Sequence, residues 1–266
     1  MVKTARILVG AILVIVVPLT QLCIGQTQEE KGLAVAREAE KRNSGFGDCT
    51  AKLLMTLRNS RGQESIREIR VRVLEVGGNG HRSLCIFDSP KDVKGTAFLA
   101  FTYKAGDDDQ WLYMPAMKRV KRIAARNKSG SFMGSEFSYE DIATEELEKY
   151  RYKWLNDEVY DGNECFVIER YPVDKANSGY TRQVVRLDKS EYRIHKVDYY
   201  ERKNSLLKTL TAKGYRKYLD KFWRATEMNV VNHQTGKSTM IIWSDFEFRT
   251  GLKESDFDKS SLENVR

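Results

Sequence analysis

Imidazole titrates near neutral pH and binds metals, so His81, His195 and His233 are the first residues to test for chemistry. They are scattered, and none has a second histidine nearby in sequence. His195 lies in an alternating stretch with Arg193 and Val197, while His81 and His233 sit beside turns. Each reads as a solvent-facing or structural side chain. Gly77-Gly78-Asn79-Gly80 has the glycine content of a phosphate cradle, but no Lys-Ser/Thr pair and no helix follows it. A hairpin turn accounts for it. Asp107-Asp108-Asp109 offers carboxylate oxygens without the glycine and distant glutamate of a calcium loop, and reads as a solvated hairpin tip. A nucleophile elbow, a Walker loop and a dinucleotide fingerprint are all missing. The residues predict no catalytic set, no metal site and no cofactor.

Two other groups carry more information. Lys118, Arg119, Lys121, Arg122, Arg126 and Lys128 form a basic run. It is a solvated strand and loop, a contact for anionic headgroups worth roughly 1 kcal/mol per charge, or a nucleic-acid strip. The predicted export described below argues against nucleic acid. Arg119, Lys121, Arg122 and Arg126 are therefore the candidates for headgroup or transient membrane contact. Around the run cluster Trp111, Tyr113, Met114, Met117, Phe132, Met133, Phe137 and Tyr139. Methionine adapts to variable apolar ligands, although each of these residues also suits ordinary core packing. In Gly130-Ser131-Phe132-Met133-Gly134-Ser135, small residues flank two large apolar ones. That pattern predicts a mobile tip, with Phe132 and Met133 gating the mouth of a concavity.

The elements that must position these residues are mostly strands. Ala51, Leu53, Met55 and Leu57 alternate with Lys52, Leu54, Thr56 and Arg58, and Ile69, Val71 and Val73 alternate with Arg70 and Arg72. A period of two puts one apolar face inward. Turn signals recur at short intervals through to Thr235-Gly236, as in an antiparallel meander. Helical spacing appears over residues 28–42. Ser138, with Asp141 three residues on, is placed to cap a second helix running to about Lys149. A third, over residues 255–262, is expected to cover the sheet. The fold class is mainly β (α+β).

The segment Trp111–Asp141 resembles the outer-membrane lipoprotein-sorting (LolA-like) family of periplasmic carriers. The matching residues are Trp111, Tyr113, Pro115, Arg122, Ser131 to Ser135, Glu136, Phe137, Ser138, Tyr139, Glu140 and Asp141. A looser likeness runs from Leu33 to Leu262. The resemblance implies a single curved antiparallel sheet forming an incompletely closed β-barrel, with helices over the open face. It also implies a non-catalytic carrier of lipid or lipoprotein acyl chains. Such a carrier would work with an inner-membrane transporter and an outer-membrane acceptor.

An unclosed curved sheet leaves an apolar concavity that a dense core lacks. Its candidate walls are the inward faces of the alternating strands: Leu53, Met55, Leu57, Ile69, Val71, Val73, Leu99 and Phe101. Tyr103, Met114, Ile241 and Trp243 are the candidates for the rim or opposite wall.

The N-terminus reads as a secretory leader over residues 1–25, followed by one carrier domain over 26–266. Lys3 and Arg6 precede an apolar run from Ile7 to Val17 that is short for a membrane span, and Cys23-Ile24-Gly25 offers small residues before a cut. Gln21 and Leu22 fit poorly with lipidation of Cys23. Cys49, Cys85 and Cys165 permit at most one internal disulfide and show no zinc spacing. The formal charge of +8 is concentrated locally, because acidic residues are spread along the rest of the chain. Localisation is expected to be periplasmic. The competing reading is an accessory or docking protein of an inner-membrane lipid exporter or envelope complex; an envelope hydrolase ranks third.

Overall fold

The computed structural model describes residues 25–264. The expected leader, Cys23 included, falls outside the described residues except for Gly25.

The chain opens with α1 (Gln28–Asn43). Thr27 and Glu30 form a reciprocal capping box at its start, and Lys41 and Arg42 lie in its last turn, where the helix dipole favours cations. The strands β1 (Asp48–Arg58), β2 (Glu64–Glu75), β3 (His81–Ser89), β4 (Ala97–Phe101), β5 (Asp109–Met114) and β6 (Arg119–Arg122) follow as a meander. A connector holding the short α2 (Tyr139–Ile142) leads to a second meander. This comprises β7 (Tyr150–Tyr160), β8 (Asn163–Pro172), β9 (Tyr180–Asp188), β10 (Ile194–Glu201) and β11 (Leu206–Lys213). The small hairpin β12 (Arg216–Tyr218) and β13 (Phe222–Arg224) stands apart as its own two-stranded sheet. Then β14 (Glu227–Asn232) and β15 (Ser238–Phe248) return to the main sheet.

That sheet has 13 strands in the order β6-β5-β4-β3-β2-β1-β15-β14-β11-β10-β9-β8-β7. Every pairing in it is antiparallel, and β1 to β15 joins the two meanders, with Leu53 opposite Trp243 and Met55 opposite Ile241. The outermost strands β6 and β7 do not pair with each other, so the barrel stays open. The connector between those two edges folds inward across the gap. Its Ile123, Phe132 and Phe137 join one core with Leu53, Met55, Phe87 and Phe98 of the sheet and Val35 of α1. Helix α1 lies on β7 so closely that a Cβ at Gly32 would come within 2.6 Å of the Lys153 carbonyl carbon. Gly32 is therefore placed for close approach, at the usual cost of glycine within a helix.

Two helical expectations are revised. Ser138 and Asp141 do form the expected capping box, but α2 ends at Ile142 and a 3-10 turn at Leu147–Lys149 follows extended Ala143. Tertiary bonds override helical propensity there. Glu145 pairs with Arg170, and Glu146 accepts from Thr102. The C-terminal segment forms the 3-10 turns Glu254–Phe257 and Lys259–Asn264. Its Phe257 and Leu262 cover the outer face of the sheet, against Leu84, Ile86 and Leu99, instead of the open side.

Candidate functional site

The connector fills the half of the barrel built from β3 to β5. In the other half a cavity of about 780 Å³ remains, within the roughly 300–1,000 Å³ range of small-molecule sites. Val71 and Val73 come from β2, and Ile168, Val185, Leu187, Val197, Leu210 and Ala212 from β8 to β11. Ala36 and Ala39 of α1 form one wall, Trp243 of β15 another, and Phe137 and Leu147 of the connector close the side toward the filled half. The small side chains Ala36, Ala39, Ala51 and Ala212 leave room that larger ones would occupy. Period-two alternation in β8 to β11 aims these apolar residues inward.

The polar groups around the cavity are largely tied to one another. Arg170 holds Glu145 through two hydrogen bonds of 2.6 and 2.5 Å and donates to Gln183 at 2.6 Å. Burial is the largest influence and opposes its charge, but the Glu145 carboxylate together with Tyr150, Tyr199 and Tyr152 outweighs it and raises the guanidinium. Lys208 donates to Asp141 at 2.6 Å, and the Tyr180 hydroxyl donates to the same carboxylate at 2.8 Å. His81 Nδ1 lies 2.8 Å from Glu146. Burial alone would raise Glu146, yet the bonds from His81 and Thr102 hold it below the usual carboxylate range. Desolvation pushes the Cys49 thiol up to about 11, so it stays protonated and unreactive at neutral pH. Cys49, Cys85 and Cys165 are all free and buried. One trio of carboxylates, Glu40, Glu146 and Glu148, converges among the described residues. The Lys104 ammonium stands 3.7 Å from Glu40 and 3.6 Å from Glu148, so a cation of the chain already sits there. The arrangement as a whole can bury an apolar chain. His195 is bound to Asp188 at 3.0 Å beside Arg193, as a structural group would be.

Among the candidate wall residues, Val71, Val73 and Trp243 line the cavity. Leu53, Met55, Leu57, Ile69, Met114 and Ile241 share its face of the sheet but pack in the adjoining core. Leu99 and Phe101 are corrected to the opposite face, with Trp111 under the C-terminal turns. Tyr103 sits with Phe101 under the Arg82 guanidinium, away from the cavity. Strand β4 is buried on both faces over Ala97 to Ala100, so its apolar run carries no alternation to reveal which side faces in.

Phe132 and Met133 are also placed differently from the expected mobile tip. Phe132 is 1% exposed. Its N–H donates to the Phe137 carbonyl at 2.8 Å, Ser135 Oγ donates back to its carbonyl at 2.7 Å, and Arg67 donates to the Met133 carbonyl. Met133 at φ 51 and Gly134 at φ 79 form a tight left-handed turn, and the serines lock it. The small residues serve turn geometry here. Arg119, Lys121, Arg122 and Arg126 are exposed on the edge strand β6 and the turn after it, outside the cavity. Arg122 pairs with Asp109 at 2.5 Å. Sequence reasoning missed the walls from β8 to β11, although their alternation was present in the sequence.

A family model described as an uncharacterized protein family matches residues 79–264. The crystal structure of an outer membrane lipoprotein-sorting protein domain from Vibrio parahaemolyticus is 55% identical, with a TM-score of 0.86, covering 88% of this chain and 99% of that one. A DUF1329 family protein from Desulfovibrio piger is 31% identical, with a TM-score of 0.84, covering 89% of this chain and 99% of that one. A LolA superfamily protein from Nitrosomonas europaea, at 20% identity and a TM-score of 0.69, covers 86% of this chain and 98% of that one, and shares the fold. No curated protein matches the chain. Identity, coverage and the unclosed sheet agree: the chain belongs to the outer-membrane lipoprotein-sorting family and has the LolA-like fold.

Proposed function

We propose that the protein is a non-catalytic periplasmic carrier that takes an acyl chain of a lipid or lipoprotein into its cavity and moves it between envelope membranes. The observation that carries this reading is the apolar cavity of about 780 Å³ inside a sheet that does not close. Burying an acyl chain gains roughly 0.8 kcal/mol per CH₂, and the small alanines on α1 and β11 leave space for it. The relative's description as a lipoprotein-sorting domain supports the same role. Among the described residues no helix is long and apolar enough to cross a membrane. A transporter that loads the protein and an acceptor that unloads it follow from the carrier role.

The test is binding of a fluorescent acyl probe by the purified protein and by Ala212→Phe, which places a ring in the cavity. The wild type should bind and Ala212→Phe should not, with both folded by circular dichroism. If the wild type binds no probe and releases no lipid on solvent extraction, the carrier reading fails. One feature favours docking to an exporter as a second reading: the free edge of β6 carries exposed Arg119 and Lys121. Capture of a single membrane protein by the lipid-free chain, without probe binding, would select it.

A further inference from the structure

The cavity's cations are not all neutralised in the same way. Arg42 pairs with Glu38 and Glu191, Arg170 with Glu145, and Arg193 with Asp188. Arg224, Lys217 and Lys221, all from the β12–β13 hairpin, also line the cavity, and none of the three forms an ion pair among the described residues. Among the described residues the Lys221 ammonium donates only to the Ser44 carbonyl, at 2.7 Å. Arg224 donates through one terminal nitrogen, to Asn43 Oδ1 at 2.5 Å and to the Trp223 carbonyl at 2.9 Å. Its Nε and other terminal nitrogen have no hydrogen-bond partner among the described residues.

The Arg224 guanidinium is half-buried against the rings of Phe46 and Phe248, at 5.2 and 5.4 Å. Asp220 is the carboxylate of the same hairpin that lines the cavity; Glu75 lies nearby, but its oxygens accept from Gly45 and Gly47. Solvent reaches the unused donors of this half-buried guanidinium, and an anion that replaced that water would gain charge-assisted bonds. The flat guanidinium fork suits a carboxylate or phosphate, which it holds through paired hydrogen bonds.

We propose that the cavity takes an amphiphile with an anionic head, the head bound by Arg224 with Lys217 and Lys221 beside it and the chain lying along the apolar wall. This inference rests on the carrier reading and adds the chemistry and orientation of the cargo. Neutral lipids of the same chain length are then weaker ligands than anionic ones, and the cargo enters with its tail leading and its head at the hairpin. The head is a carboxylate, as in a fatty acid, or a phosphate, as in a phospholipid.

The experiment is displacement of a neutral fluorescent acyl probe from the full chain by palmitate, lysophosphatidate, hexadecanol and hexadecyltrimethylammonium. Palmitate or lysophosphatidate should displace the probe at concentrations at least about tenfold lower than hexadecanol, since charge-assisted bonds are roughly twice as strong as neutral ones. The cationic ligand should be the weakest. Whichever anion binds tighter identifies the source of the head. Arg224→Gln should remove the preference while hexadecanol still displaces the probe, which also shows that the variant is folded. Arg224→Lys should restore part of it. If Arg224→Gln does not fold, Lys217→Gln with Lys221→Gln should reduce the preference for the anion. Equal displacement by palmitate, lysophosphatidate and hexadecanol overturns the head assignment and leaves the carrier reading standing. Absence of binding by the probe and by all four ligands overturns the carrier reading itself.

Discussion

The ring of Phe132 meets those of Phe87, Phe98 and Tyr139 at centroid distances of 5.9, 5.2 and 5.6 Å. A side chain packed in this way contributes to stability. Phe132→Ala should cost about 3–5 kcal/mol, read as a shift in the urea midpoint, while the folded fraction keeps its affinity for the acyl probe. A midpoint within error of the wild type would return Phe132 to the role of a gate. Asp188 gives a prediction about pH. Burial would raise its carboxyl, but donors from Ser190, the Glu191 backbone, Arg193 and His195 hold it well below the ordinary carboxylate value. A carboxyl depressed in the folded state stabilises it above the unfolded value of about 3.9 and loses that contribution as pH falls toward the folded value. The wild-type melting temperature should therefore drop steeply below about pH 4. Asp188→Asn should be less stable at neutral pH, with a shallower acid limb. Parallel acid limbs in the two proteins would refute the assignment.

At the scale of elements, Gly32 decides how α1 sits. In a free helix, replacing glycine by alanine stabilises by up to about 1 kcal/mol. Here the added methyl would meet the β7 backbone at 2.6 Å. Gly32→Ala should lower the melting temperature and weaken probe binding together, because Ala36 and Ala39 of the same helix form a cavity wall. A more stable variant with normal binding would show that α1 has slack. How much of this was legible in the sequence depended on whether an element had one wet face. Strands β1 and β2 keep a charged face outward, so the inward direction of Leu53, Met55, Ile69 and Val71 could be read directly. Strand β4 is covered on both sides, and Leu99 and Phe101 were unassignable by alternation. The start of α2 was legible from Ser138 and Asp141, because a capping box is local. Its end was not, because Glu145 and Glu146 are drawn out of the helix by Arg170, His81 and Thr102, which are distant in sequence. The hairpin cations were invisible for the same reason, since nothing local shows that Arg224 faces a cavity closed by α1.

At the scale of the molecule, the exposed basic edge and the cavity are separate features that a carrier needs together. On the proposed carrier function, the edge would hold the protein at an anionic surface while the cavity exchanges cargo. Changing Arg119, Lys121, Arg122 and Arg126 to glutamine should weaken sedimentation with anionic vesicles and remove its salt dependence. Stability should barely change, because exposed charges contribute little. Vesicle binding equal to that of the wild type would leave the strip as a solvated surface.

The pairing of β1 with β15 has a consequence for the order of assembly. Cys49 lies opposite Phe248 and Leu57 opposite Thr239, so the seam between the two half-sheets joins the beginning of the domain to its end. A chain that emerges N-terminus first holds β1 with one bare edge until nearly all the rest has appeared, and such long-range closure is slow. Until the last strand arrives the cavity walls from β2 and those from β8 to β11 belong to half-sheets not yet joined, and the wall from β15 is missing. Immature chains thus lack the finished cavity, which is complete only once β15 has paired with β1.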